Sequence, residues 1–82
     1  MTREVRVEFY KGVTRSDVTA FLNEIDKLNG KVSKFSTIHK GKLILTFRAF
    51  EGISNKEFLK LMECVLAILK LVACVDKVIN IN

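Results

Sequence analysis

Residues 54–74 read SNKEFLKLMECVLAILKLVAC, a helical run that is apolar around most of its circumference. At about 100° per residue, Lys56, Lys60, Glu63, Ala67, Lys70 and Cys74 fall in a strip only roughly 80° wide. Phe58, Leu61, Met62, Val65, Leu69 and Val72, with Leu59, Cys64, Leu66, Ile68 and Leu71, fill about 240° of the remainder. An ordinary surface helix needs an apolar stripe a little over ~100° wide. The surplus calls for a cover beyond one small sheet, and the nearest candidate is another chain. Ser54 and Glu57 have the spacing of a capping box and mark where the helix starts.

Before this run, Glu51-Gly52 breaks a strand predicted over Lys42 to Phe50. In it Leu43, Leu45 and Phe47 face the core, while Lys42, Ile44, Thr46 and Arg48 face away. His39-Lys40-Gly41 is a hairpin turn. The preceding segment, Lys31 to Ile38, is also a strand, but Val32, Phe35 and Ile38 are out of step with a two-residue period, and a bulge would reconcile them. At the start of the chain, Val5, Val7 and Phe9 alternate with Arg6, Glu8 and Tyr10, which predicts a half-buried strand over Glu4 to Tyr10.

Lys11-Gly12 ends that strand. Thr14 with Asp17 then caps a first helix, in which Val18, Phe21, Leu22, Ile25 and Leu28 follow at helical spacing until Asn29-Gly30 stops it. After the long helix, Val78, Ile79 and Ile81 offer a last short strand, or else the tail from Val75 frays. The order is strand, helix, strand, strand, helix, strand. Both helices need one shared apolar surface, and right-handed crossovers place them on the same face of an antiparallel sheet. The expectation is one α+β domain over residues 1–82, a ferredoxin-like split βαβ sandwich (βαββαβ).

Composition sets bounds on function. Hydrophobic residues are 49% and charged residues 28% of the 82, with no proline, which describes a globular chain rather than a disordered tail. A core of this size leaves a thin stability margin, and oligomerisation is a common remedy. Fourteen basic against nine acidic residues give a formal charge of +5. That balance favours acidic or nucleic-acid partners. Yet basic and acidic residues alternate and no Lys/Arg block stands out. Cys64 and Cys74 sit outside any CxxC motif and too far apart on one helix for a disulfide, so they read as reduced, part-buried small hydrophobes of an intracellular protein. Thr2-Arg3-Glu4 runs straight into the first strand, so no secretory leader is expected. Glu63 and Lys70 interrupt the most apolar stretch, which is too short to span a bilayer. The expected location is cytoplasmic.

Catalysis is not expected, and neither is a metal or cofactor. His39 is the only histidine and belongs to a turn. A metal centre needs several converging ligands. Cys64 as a nucleophile needs a base and an electropositive, exposed pocket. Acylphosphatases share the topology, but the first loop lacks a matching arginine-bearing signature. Nucleic-acid binding has more support. Lys40-Gly41-Lys42-Leu43-Ile44-Leu45-Thr46-Phe47 lines up with the longer signature of an RNA recognition motif. The positions that carry stacking rings in such motifs are here Lys42, Ile44 and Arg6, and only Tyr10 supplies a ring on that face. What remains is a basic sheet face of Arg6, Lys34, Lys42 and Arg48, opposed by Glu4 and Glu8, suited to weak contact with a phosphate backbone.

From Lys31 onward the chain runs through a short polar strand, the Lys40-Gly41 turn, the strand Leu43-Ile44-Leu45-Thr46-Phe47-Arg48-Ala49, an acidic break and a long apolar helix. In this it resembles the small dimerising subunit of the KEOPS complex, the family that includes the CTAG-type cancer/testis antigens. Ala49-Phe50-Glu51 fits the alanine, any residue, acidic step of that family. Phe58-Leu59 and Glu63-Cys64 stand where the family has leucine-arginine and asparagine-serine pairs, which suits a divergent paralogue. The resemblance implies a non-catalytic homodimeric platform that docks the larger subunit installing threonylcarbamoyl on tRNA adenosine. Independently of the family, Leu59, Cys64, Leu66, Ile68 and Leu71 are the expected dimer or partner interface. The same pattern also suits an ACT-like regulatory module, with Gly12 at its first strand-to-helix turn. A short chain without catalytic motifs equally suits a small viral or plasmid-encoded inhibitor of a host complex.

Overall fold

The alternation at the start of the chain becomes strand β1, Glu4–Phe9, in which Val5, Val7 and Phe9 are buried. In the computed structural model, residues 3–23 and 30–81 are described. Helix α1 spans Arg15–Asn23 and buries Val18 and Leu22. Of the capping box expected at its start, the reach-back half is present, for the Thr14 amide donates to Asp17 Oδ2 at 2.7 Å. That hydrogen bond holds the Asp17 carboxyl below its ordinary value. Ile25, Leu28 and Asn29, which the helical spacing places at the end of this helix, lie outside the described residues.

Strands β2, Val32–His39, and β3, Lys42–Ala49, form a hairpin joined by Lys40-Gly41. Both turn residues have positive φ, 52° and 78°, the requirement of a two-residue type I′ turn. Such a turn fixes the register, and pairing runs without interruption from His39↔Lys42 to Val32↔Ala49. The bulge expected in this strand is therefore absent. Val32 and Ile38 share the helix-facing side, and Phe35, opposite Thr46, points the other way.

Helix α2 covers Asn55–Val72, and Ser54 Oγ accepts from the Glu57 amide as its N-cap. The Glu57 carboxylate does not close the box; it pairs with Lys31 Nζ at 3.1 Å. Strand β4, Val75–Ile81, pairs antiparallel with β1, so the tail is a strand within the chain. The sheet order is β2-β3-β1-β4 with every pairing antiparallel. Four strands and two helices in this order make an α+β ferredoxin-like fold.

One face of the sheet supplies Val5, Val7, Phe9, Leu43, Leu45 and Phe47 to the core. Val18 and Leu22 from α1 and Phe58, Met62, Val65 and Leu69 from α2 close over them. Arg3 ties the opposite end together. Its guanidinium donates to the carbonyls of Ile53 and Phe50 and to Asn55 Oδ1, clamping the loop between β3 and α2 onto the start of β1. Among the described residues no helix is long and apolar enough to cross a membrane.

Candidate functional site

The buried arc of α2 is narrow. Phe58, Met62, Val65 and Leu69 recur at i, i+4, i+7 and i+11, within about 60° of the circumference, and only these four are fully buried. The sheet and α1 therefore leave apolar side chains outside. Leu71 is 85% exposed, Val72 49% and Ile68 39%.

The five residues expected to form one interface do not share a flank. Cys64, Ile68 and Leu71 fall within about 60° of one another, with Val72 continuing that flank. Leu59 and Leu66 lie on roughly the opposite side, across the lysine strip. Leu66 is half-buried and packs against the core, so it is not surplus at all. Both cysteines are exposed rather than part-buried. Cys74 also lies beyond the end of α2. The patch that the structure assembles is Cys64, Ile68, Leu71 and Val72.

The open face of the sheet is held by charge. Arg6, Lys42 and Arg48 lie on it as expected, opposite Ile79, His39 and Ser33 in the ladders. Each meets a carboxylate. Arg48 donates to Glu4 Oε1 through Nη2 at 2.7 Å and Nε at 3.0 Å, and Arg6 approaches Glu4 Oε2 at 3.6 Å. Lys42 Nζ lies 2.9 Å from Asp76 Oδ2. This hydrogen bond raises the Lys42 pKa and lowers that of Asp76, for which partial burial acts in the opposite sense.

Lys34 is not on this face. It sits opposite the core residue Phe47, and its ammonium donates to the Leu22 carbonyl at 3.2 Å, near the end of α1. Phe35 takes the place that Lys34 was expected to hold. Its ring joins Tyr10 on the open face, with the Arg48 guanidinium 5.9 Å from its centroid. The missed signal lies in the turn: once His39 pairs with Lys42, Phe35 must pair with Thr46 and share its face.

Among the described residues no three His, Cys, Asp or Glu side chains come together as a metal site. His39 is exposed at the end of β2. An open cleft of about 460 Å³ between the β1–α1 turn and the end of α2 is lined by Tyr10, Lys11, Gly12, Val13, Asp17 and Val72, among others. Gly12, at the first strand-to-helix turn, borders this cleft, and the Asp17 carboxylate there accepts from the Thr14 amide. Comparison of this chain with protein-family models, curated proteins and solved structures found no match.

Proposed function

We propose that this chain is a non-catalytic interaction module that associates through the outer flank of α2. The observation that carries the proposal is the exposure of Leu71, Val72 and Ile68 beside Cys64 on one side of a helix whose buried arc is already satisfied. Spacing of i, i+4, i+7 and i+8 is that of a helix offering its side to another helix. Covering Ile68, Leu71 and Val72 at ~1.5–3 kcal/mol each returns roughly 5–9 kcal/mol, less what Ile68 and Val72 already bury. Association costs ~4–15 kcal/mol. These magnitudes favour a reversible dimer, or a subunit held by a larger partner, over a tight obligate dimer. Service as the dimerising platform of a KEOPS-like tRNA-modifying assembly is one such role, supported by the resemblance of the hairpin and long helix.

Nucleic-acid binding on the open face is the second reading. The Phe35 and Tyr10 rings favour it, and the paired state of Arg6, Lys42 and Arg48 weighs against it.

Size-exclusion chromatography with light scattering, over a range of concentrations and with bulk tRNA at low and moderate salt, separates the two. The expected result is a mass above that of the chain, indifferent to tRNA. Leu71→Glu should lower that mass without loss of fold, since substitution of so exposed a residue changes stability by only ~0.5 kcal/mol. An unchanged mass for Leu71→Glu would sink the helix contact. A monomer that shifts with tRNA and releases it as salt rises would move the functional surface to the sheet.

A further inference from the structure

The two edges of the sheet differ in how they are protected. Native edge strands are blunted by shortness, proline, bulges or charged side chains, because an open edge is a template for another strand. The β4 edge is blunted in this way. Its pairing with β1 shifts register between Glu8 and Phe9, and it carries Asp76 and Lys77. The β2 edge lacks these devices. It is eight residues long, unbulged against β3 and free of proline. Its one lysine, Lys34, has its ammonium committed to the Leu22 carbonyl.

The register shows which backbone groups β2 presents. The Phe50 amide donates to the Lys31 carbonyl at 3.0 Å, which marks that pair as hydrogen-bonded. Hydrogen-bonded pairs alternate along an antiparallel ladder. Ser33, Phe35, Thr37 and His39 therefore spend their N–H and C=O groups on β3. Val32, Lys34, Ser36 and Ile38 aim theirs away from the sheet.

We propose that this edge pairs with the β2 edge of a second copy of the chain, antiparallel and centred on Phe35, so that two four-stranded sheets become one of eight. The proposal goes beyond the helix contact of α2 and stands or falls separately from it. Side chains directly opposite each other share a face, so a two-fold axis in this ladder must pass through a residue position. Centred on Phe35, the pairs are Lys34 with Ser36, Ser33 with Thr37 and Val32 with Ile38. Every outward backbone group then lies in a hydrogen-bonded pair. Phe35 meets its own copy at a non-hydrogen-bonded position, where side chains approach most closely. Ile38, 65% exposed in the single chain, is covered by Val32. No charge faces a like charge. Centring on Ser36 instead would set Ile38 against Lys34 and Phe35 against Thr37, matching neither apolar side chain. A groove of about 240 Å³ between α1 and β2, bordered by Arg15, Thr19, Lys34 and Ser36 among others, leaves room for the helix-side chains of an added strand.

The test reads amide hydrogen exchange residue by residue at rising protein concentration, in the wild type, Ser36→Pro and Leu71→Glu. Proline at Ser36 removes an outward N–H and spares the β2–β3 ladder, a position where an edge strand tolerates it. The expected result is that the amides of Lys34, Ser36 and Ile38 gain protection with concentration in the wild type and in Leu71→Glu. In Ser36→Pro, Lys34 and Ile38 should lose that gain and the edge-joined mass should halve. Free exchange of these three amides in the wild type at every concentration overturns the proposal, and a mass that falls only in Leu71→Glu then leaves the helix contact standing. Protection of the amides with no effect of Leu71→Glu on mass does the reverse. Register is tested by cross-linking with Cys64 and Cys74 replaced by serine. Phe35→Cys should form a covalent dimer under oxidised glutathione, since the paired Cβ atoms fall within disulfide reach. Equal cross-linking of Ile38→Cys overturns the centring on Phe35.

Discussion

The two faces of the sheet are built from the same strands and end in opposite conditions. Beneath the helices, Val5, Val7, Phe9, Leu43, Leu45 and Phe47 are no more than 3% exposed and belong to one apolar cluster. On the open face, Glu4, Arg6, Lys42, Arg48 and Asp76 form ion pairs, and Thr46 between the strands is itself buried. One face is closed by packing; on the other the charges are paired, while the Tyr10 and Phe35 rings and Ile79 stay exposed. Exposed apolar side chains also lie on the outer flank of α2 and, as Ile38, on the β2 edge. A ferredoxin-like sheet that binds nucleic acid keeps cations and rings free on its open face. Here the cations that matter are engaged by the chain's own carboxylates.

The largest effect should follow from opening the packed face. Phe58 is 0% exposed and sits where α2 crosses the sheet core. Phe58→Ala should cost about 3–5 kcal/mol, a large part of the ~5–15 kcal/mol that holds a domain together. Urea unfolding should show a midpoint well below that of the wild type. Leu71→Glu, on the same helix, should leave it nearly unmoved. Equal losses for the two would mean that α2 has no free flank.

The packed face is legible in the sequence because it follows simple periods. Val5, Val7 and Phe9, and Leu43, Leu45 and Phe47, alternate with polar residues, so the helix-facing side of β1 and β3 needs no knowledge of the fold. The open face is only half legible. The same alternation places Arg6, Lys42 and Arg48, but it exchanges Lys34 and Phe35, because apolar residues at 32, 35 and 38 have no even spacing. The turn geometry at Lys40-Gly41 overrides that local pattern. On α2 a wheel of apolar residues cannot say which 60° the sheet selects. It therefore sets Leu66 outside, and it groups Cys64, Ile68 and Leu71 with Leu59, which lies across the helix from them.

A middle-sized effect should come from unlocking the charged face. Glu4→Gln removes the carboxylate that both Arg48 and Arg6 share. Because Arg48 is largely exposed, the loss should be only about 1 kcal/mol. Its consequence for binding is larger in kind, since two guanidinium groups are released on the open face, that of Arg48 beside the Phe35 ring. Filter binding of bulk tRNA should improve over the wild type at low salt and disappear as salt rises. Wild-type binding as strong as that of Glu4→Gln would show that charge pairing is not what silences this face.

The smallest effect belongs to the bridge between Lys42 and Asp76. The hydrogen bond from Lys42 holds the Asp76 carboxyl below its ordinary value, about 3.9 for an unfolded aspartate. The folded chain therefore binds fewer protons there than the unfolded chain does as pH falls into this range. Its stabilising contribution is full above the unfolded value and is lost as pH falls through the folded one. Lys42 has the opposite sign: its raised pKa adds stability below the unfolded value, about 10.4, which is lost as pH rises through the folded value. Asp17, held low by the Thr14 amide, adds a second acid-side loss that is independent of the bridge. Urea midpoints followed from neutral pH to about 2 should thus fall less steeply in Asp76→Asn than in the wild type, with the remaining slope reduced further by Asp17→Asn. If Asp76→Asn leaves the acid limb unchanged, the pairing of Lys42 with Asp76 does not persist in solution. Lys42 would then be a free cation on the open face, and the contrast between the two faces would narrow at that point.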